Sequence, residues 1–231
     1  MKSRVLSPEL LDSLPPDDPG AQASRRDLRR LHPLLGQIGL WTSWFSEKYP
    51  GRPPSSLADL GTGDGSLLGT VLLRAYPNGG NGTRIFFVDR QPVVPETTLT
   101  HLRRCHWLPT VVTDDVLNWV KKAPPFSAAL TNLFLHHLDE PGIRRLFSAL
   151  AEKTESFAGA EPRRTVLARW GARALLLLGC HSVTRHDARV SVKAGFKGKE
   201  LSALWPSVPG WILKENTAGP FTHFFSATKS S

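Results

Sequence analysis

Apolar residues along this chain keep changing their spacing, and the change is the first structural signal. Over residues 35–49, Leu35, Ile38, Trp41 and Phe45 recur at helical intervals, which predicts an amphipathic helix. Tyr49-Pro50-Gly51 and Pro53-Pro54 end it. A short strand is expected at 57–60, then a helix at 66–76 with Leu67, Leu68, Val71 and Leu72 on one side. The run Ile85-Phe86-Phe87-Val88 makes 84–88 a strand, and such an unbroken run suits a parallel strand buried on both faces. The alternation continues with a helix near 95–104, a strand at 110–113, a helix at 116–122, a strand at 126–135, a helix at 141–154 and a weak strand at 156–160. Strands alternating with helices imply an α/β fold with a mostly parallel sheet and helices on both faces.

The two ends depart from this rhythm. Residues 1–34 are polar, with Pro15-Pro16-Asp17-Asp18-Pro19-Gly20 as a breaker cluster and Ser24 as the cap of a short helix carrying Arg25, Arg26, Arg29 and Arg30. Toward the carboxyl end, 163–179 reads as helical, 180–197 as irregular and basic, and 198–204 as a short helix. Strands at 211–216 and 221–228, joined by Ala218-Gly219-Pro220, suggest an antiparallel hairpin at the sheet edge.

Composition narrows the class. At 231 residues, 40% hydrophobic and 21% charged, the chain can bury one sizeable core. No stretch approaches the roughly 20 apolar residues that span a bilayer. Met1-Lys2-Ser3-Arg4 runs into Pro8 and Asp12 rather than an apolar stretch, so no secretory signal is read and a cytoplasmic protein is expected. Cys105 and Cys180 are too few for a disulfide framework. Charge is uneven. Residues 1–115 hold 13 Lys and Arg against 12 Asp and Glu, while residues 116–231 hold 16 against 8. That basic half favours an anionic partner, among them a carboxylate, a phosphate, a carrier protein, nucleic acid or an acidic membrane surface, or serves solubility alone.

The chemistry begins at Asp59-Leu60-Gly61-Thr62-Gly63-Asp64-Gly65, between an expected strand and helix. Glycines let a backbone turn tightly and approach a ligand, and the helix behind offers free amides. The spacing is G-x-G-x-G with Ser66 following, not the G-x-G-x-x-G of a dinucleotide site. Asp89 ends the next strand, where a carboxylate can accept bonds from two ribose hydroxyls.

Together these residues resemble the class I S-adenosylmethionine (SAM)-dependent methyltransferases, and in detail bacterial small-molecule enzymes of secondary-metabolite and quinone type. Asp59 to Gly65 is similar to that family's first motif, and Asp89, followed by Arg90, to its ribose-binding acid. Thr113-Asp114-Asp115-Val116 resembles the adenine-contacting motif, with Asp115 and Val116 preferred and Asp114 an alternative. Asn132-Leu133-Phe134-Leu135-His136-His137-Leu138 resembles the motif facing the methyl group. The resemblance implies a Rossmann-like seven-stranded sheet with an antiparallel edge hairpin. It implies SAM bound by Asp59, Gly61, Thr62, Gly63, Gly65, Asp89, Arg90, Asp115, Val116, Asn132 and Leu133. It further implies a methyltransferase domain over 35–231, with residues 1–34 and 161–206 covering the substrate.

Methyl transfer from a sulfonium needs positioning, and an oxygen acceptor also needs its proton removed or its anion held. His136 or His137 is the expected base, one of the two facing the site, with His186 of Thr184-Arg185-His186-Asp187 second. Glu161, Arg163 and Arg185 are candidate substrate contacts, with Arg164 as a further anion binder. Cys105-His106 and Cys180-His181 lack metal-ligand spacing, so no metal is expected there. Leu175 to Leu178, with Leu31, Leu34 and Leu35, read as core or as the wall of an apolar pocket. The expected reaction is O-methylation, or else C-methylation, of a small aromatic or polyketide-like acceptor, anionic or carrier-bound. Asn132-Leu133-Phe134-Leu135 is not the Asn/Asp-Pro-Pro-aromatic motif of nucleic-acid N-methyltransferases, and neither cysteine follows a proline, so nucleic acid loses weight as an acceptor. An RNA or protein methyltransferase and a non-catalytic SAM-binding subunit stand as alternatives. Oligomeric state is open.

Overall fold

The computed structural model describes residues 3–230, so the first two residues of the amino-terminal tetrapeptide and Ser231 lie outside it. The sheet has seven strands: β1 (Ser56–Leu60), β2 (Arg84–Asp89), β3 (Leu108–Thr113), β4 (Phe126–Asn132), β5 (Thr154–Pro162), β6 (Trp211–Ala218) and β7 (Thr222–Lys229). Their order is β3-β2-β1-β4-β5-β7-β6. β1 to β5 pair in parallel, and β7 lies antiparallel between β5 and β6. The sheet and edge hairpin are as the sequence implies.

Both faces are buried, as the apolar runs require. Leu57, Ile85 and Phe87 point into one layer, while Ala58, Leu60 and Val88 point into the other, the period of two expected of a strand. The first layer is closed by α3 (Gln37–Lys48), α4 (Ser66–Ala75) and α5 (Glu96–Arg104), with Trp41, Phe45, Leu72 and Trp107 at its centre. The second is closed by α6 (Val116–Lys122) and α7 (Glu140–Lys153), where Phe147 and Phe157 pack with Trp205 and Phe225.

Four more helices stand at the carboxyl ends of the parallel strands: α1 (Leu10–Ser13), α2 (Pro19–Leu34), α8 (Val166–Ala174) and α9 (Ser182–Ala194). Here the structure corrects several expectations. The breaker cluster opens α2 rather than preventing it. Asp18 caps Gly20 and Ala21, and Pro19 sits at the first position, where its missing amide costs nothing. Ser24 is therefore mid-helix and buried. Residues 180–197 are not irregular, because α9 buries Val183, Thr184, Asp187, Val190 and Ala194 on one side. The helix expected over 163–179 is confined to α8, and that over 198–204 shrinks to a 3-10 turn at Ser202–Leu204. β4 stops at Asn132 instead of reaching 135, since Leu133 adopts a left-handed φ of 54°. Among the described residues no helix is long and apolar enough to cross a membrane.

Candidate active site

The strand order reverses beside β1, between β1 and β4, and a crevice opens there at the carboxyl ends. The first loop into it is the glycine turn. Gly61 has φ +72°, and a Cβ on it would lie 2.2 Å from a ring carbon of Phe134. Only glycine lets the β1 and β4 loops meet so closely. Gly63 has φ +56° with nothing within 4 Å of its notional Cβ, and it lines the cavity. The turn is tied to β2: the Gly61 amide donates to the Val88 carbonyl at 2.8 Å, and the Gly63 amide to Asp89 Oδ2 at 2.8 Å. Asp89 Oδ1 accepts from the Gln91 amide at 3.0 Å, which fixes the carboxylate at the cavity wall. Asp59 is buried beneath the turn and accepts from the Thr62 hydroxyl at 2.6 Å. Burial dominates and lifts it to about 7; the Thr62 bond opposes that, and the Asp89 charge adds to it.

At the β3 end, Asp115 caps α6 by accepting from the Leu117 amide at 2.8 Å and pairs with Arg90. Asp115, Val116 and Arg90 line the cavity; Asp114 accepts the Asp115 amide at 2.7 Å. Gly65 caps α4 behind the wall.

The β4 tip carries the histidines on a 3-10 turn, Leu135–His137, rather than on a strand. Adjacent residues there do not alternate between faces, so both rings line the cavity, with centroids 4.2 Å apart. Glu161, at the end of β5, holds this turn from below. It is fully buried; Oε1 accepts from the Phe134 and Leu135 amides at 3.0 and 2.8 Å, and Oε2 from the His136 amide at 3.3 Å. Oε2 also lies 2.8 Å from His136 Nδ1. Glu161 is thus spent on the turn and is outside the cavity lining, where the sequence led us to expect a substrate contact. Asn132 lines the cavity with its Oδ1 accepting from the Trp41 indole at 3.0 Å.

The amino-terminal segment completes the pair. Glu9 Oε1 lies 3.1 Å from His136 Nε2, and Glu9 Oε2 3.9 Å from His137 Nε2. Asp12 Oδ2 lies 3.1 Å from His137 Nδ1. Burial alone would disfavour a charged His136, but hydrogen bonds and charge from Glu161 and Glu9 outweigh it and raise the ring to about 9. Burial likewise opposes ionised Glu9, and its contacts with His136 and His137 hold it below the usual carboxylate range. Sequence reasoning missed Glu9 and Asp12 because nothing in a polar leader signals contact with a turn 127 residues away.

The helical cap encloses a cavity of about 670 Å³ running from the glycine turn to the histidines. That is ample for a small-molecule site. Leu28, Leu31, Leu35, Ala172, Leu175 and Val192 form much of the cap wall. Leu31 and Leu175 pack together with Cys180 and also line the cavity, Leu34 and Leu178 line it while exposed, and Leu176 and Leu177 are exposed outside the lining, so only part of the leucine run serves as core or wall. The remaining expected contacts lie elsewhere. His186 is outside the lining and bonds Asp187 through Nδ1 at 2.9 Å. Arg163 donates to the Gly219 and Pro220 carbonyls, Arg164 is buried against Glu200, and Arg185 is not part of the cavity wall.

No family model matches the chain, and no curated protein matches it. Solved structures do. The plantazolicin methyltransferase BamL, in complex with a triazolic desmethylPZN analog and SAH, superposes with a TM-score of 0.67 at 12% identity, covering 96% of this chain and 93% of that one. The plantazolicin methyltransferase BpumL in complex with SAH gives 0.63 at 14% identity, covering 92% and 91%. Magnesium protoporphyrin IX methyltransferase (ChlM) from Synechocystis PCC 6803 with bound SAH gives 0.55 at 11%, covering 85% and 83%. The fold of this chain is the fold of these SAH-binding methyltransferases.

Proposed function

We propose that this protein transfers a methyl group from SAM to an oxygen of an apolar small molecule. One observation carries the reading: a single apolar-walled cavity joins the glycine turn and Asp89 at one end to the His136–His137 turn at the other. The residues fit the donor. Gly63 leaves the wall open where a side chain would intrude, and Asp89 presents a fixed carboxylate at the strand tip suited to a ribose diol. When bound, SAM would supply the methyl carbon on a sulfonium, whose sulfur leaves readily with the C–S electron pair as the neutral thioether of SAH.

Asp89 and the Gly61–Gly63 turn hold the donor, with Asp115 and Val116 at the expected adenine edge. Leu133, Phe134 and Asn132 shape the midpoint where the donor and acceptor meet. The histidine pair forms the acceptor-activating end, where His137 takes the acceptor's proton and His136, held charged between Glu161 and Glu9, stabilises its anion. The cap residues exclude water and orient an apolar body. The solved neighbours named for plantazolicin and magnesium protoporphyrin IX support a small-molecule acceptor.

Calorimetric titration with SAH tests the donor half. Saturable binding that weakens at least tenfold in Asp89→Ala is expected; a folded sample that binds no SAH overturns the assignment. The acceptor half is tested with phenols and polyketide-like compounds by following SAH release. Turnover on RNA that falls steeply with salt would favour the basic second half as a nucleic-acid surface instead.

A further inference from the structure

We propose that Glu9, His136 and His137 form a binding site for a first-row divalent transition metal ion, whose open positions face the cavity and take an acceptor oxygen. The role for the acceptor rests on the methyl-transfer reading; the metal site itself does not.

The argument starts from the second nitrogen of each ring. His136 presents Nδ1 to Glu161 at 2.8 Å, and His137 presents Nδ1 to Asp12 at 3.1 Å. A carboxylate on Nδ1 holds a proton there, so Nε2 is the nitrogen that can give up its proton and bind a metal. This is how histidine ligands are oriented in metal sites. Both Nε2 atoms then point at the same carboxylate, Glu9, at 3.1 and 3.9 Å. In the metal-free protein a proton on His136 Nε2 bridges to Glu9 at 3.1 Å, and a metal ion would take that proton's place among the three donors. The donor atoms all fall within 4.8 Å of one another. Metal–nitrogen and metal–oxygen bonds of about 2.0–2.2 Å put neighbouring ligand atoms about 3 Å apart, so the Glu9–His136 spacing already fits and His137 needs only a small rotation.

Two imidazoles and one carboxylate suit zinc, iron, cobalt or manganese better than magnesium or calcium, which prefer all-oxygen shells. Three protein ligands leave at least one position for an outside oxygen. Glu9, Asp12, His136 and His137 all line the cavity, so that position opens toward the acceptor rather than toward the protein interior. A bound cation there would stabilise an acceptor oxygen as its anion near neutral pH. Glu9 comes from the amino-terminal cover, so the metal would also tie the cover to the β4 turn.

The test is calorimetric titration of chelator-treated, dialysed protein with zinc chloride, followed by cobalt(II) substitution and its visible absorption. One ion per chain is expected, with affinity reduced at least tenfold in both Glu9→Gln and His137→Ala and unchanged in His186→Ala. Asp12→Asn should weaken binding about tenfold by freeing the His137 ring. Circular dichroism checks that each variant is folded. No stoichiometric binding, or binding that Glu9→Gln and His137→Ala leave intact, overturns the proposal and assigns the cluster to a shared proton. SAH titration of the same samples separates the two readings. Metal binding without SAH binding sinks the methyltransferase assignment alone, and SAH binding without metal binding sinks this one alone.

Discussion

Three residues show how far single positions control the site. Gly61 is constrained twice, by its φ of +72° and by the Phe134 ring in the space of its Cβ. Gly61→Ala is therefore expected to cost about 2 kcal/mol or more in stability and to weaken SAH binding, measured by urea unfolding and calorimetry. Glu161 satisfies three amides and one ring while fully buried. Its replacement by Ala should cost about 3–5 kcal/mol, because buried partners are left unpaired. Glu161→Gln keeps an acceptor and should cost less; equal losses in the two variants would contradict the capping role. Asp59 gives a pH signature. Unfolded, it releases its proton near pH 4, but in the fold it holds it to about 7. The folded state binds the extra proton across that interval, so this residue's contribution to stability falls as pH rises from about 4 to about 7 and is level above. Asp59→Asn should flatten that decline in thermal unfolding of the ligand-free protein.

Among the elements, α1 is the one held mostly by side chains of others. At four residues it cannot persist alone. Its first amides, on Leu10 and Leu11, donate to the Asp187 carboxylate at 2.8 and 3.0 Å. Arg4 anchors the chain before it on the carbonyls of Ala194 and Leu138. Asp187→Ala removes both acceptors and should release the segment before α2. Limited proteolysis ahead of Pro19 is expected to accelerate while the sheet core stays protected; unchanged cleavage would mean that Arg4, Glu9 and Asp12 hold the segment without Asp187. By contrast α2 is bolted across the mouth, with Arg29 on Asp64 at 2.5 Å and Arg25 on Gln91 at 2.7 Å. Those two contacts link the cap to the glycine turn and to the loop after β2.

For the whole molecule, the cavity lies between a rigid sheet and a separate helical cap, so a ligand that touches both stabilises the assembly. At a hundredfold excess over its dissociation constant, SAH should add about 2.7 kcal/mol. For a domain of this size that corresponds to a rise in Tm of roughly 5–10 °C, readable by scanning calorimetry. No rise, with the fold intact, would count against the donor site. The cap also leaves Leu167, Trp170 and Leu177 exposed, and of these Leu177 was expected as core or pocket wall.

The sequence by itself determined the sheet, because its signals are local. Apolar runs such as Ile85 to Val88 and the glycine turn carry their meaning within a few residues, and their alternation with helices gives a mostly parallel sheet, whereas the strand order came from the structure. It also placed Asp89 and the paired histidines at strand ends. What only the tertiary structure decided was the acceptor end. α9 hid from the pattern because its buried stripe contains Thr184 and Asp187, polar groups whose partners lie in α1 and α2. Glu161 read as a free acid until β5 placed it under the 133–138 turn, and His186 read as a base until its helix turned it away from the cavity. Glu9 had no signal of its own, since its meaning comes from two rings far along the chain. Hydrophobic periodicity is written residue by residue, whereas a polar site is a meeting of distant segments, and only folding specifies which of them meet.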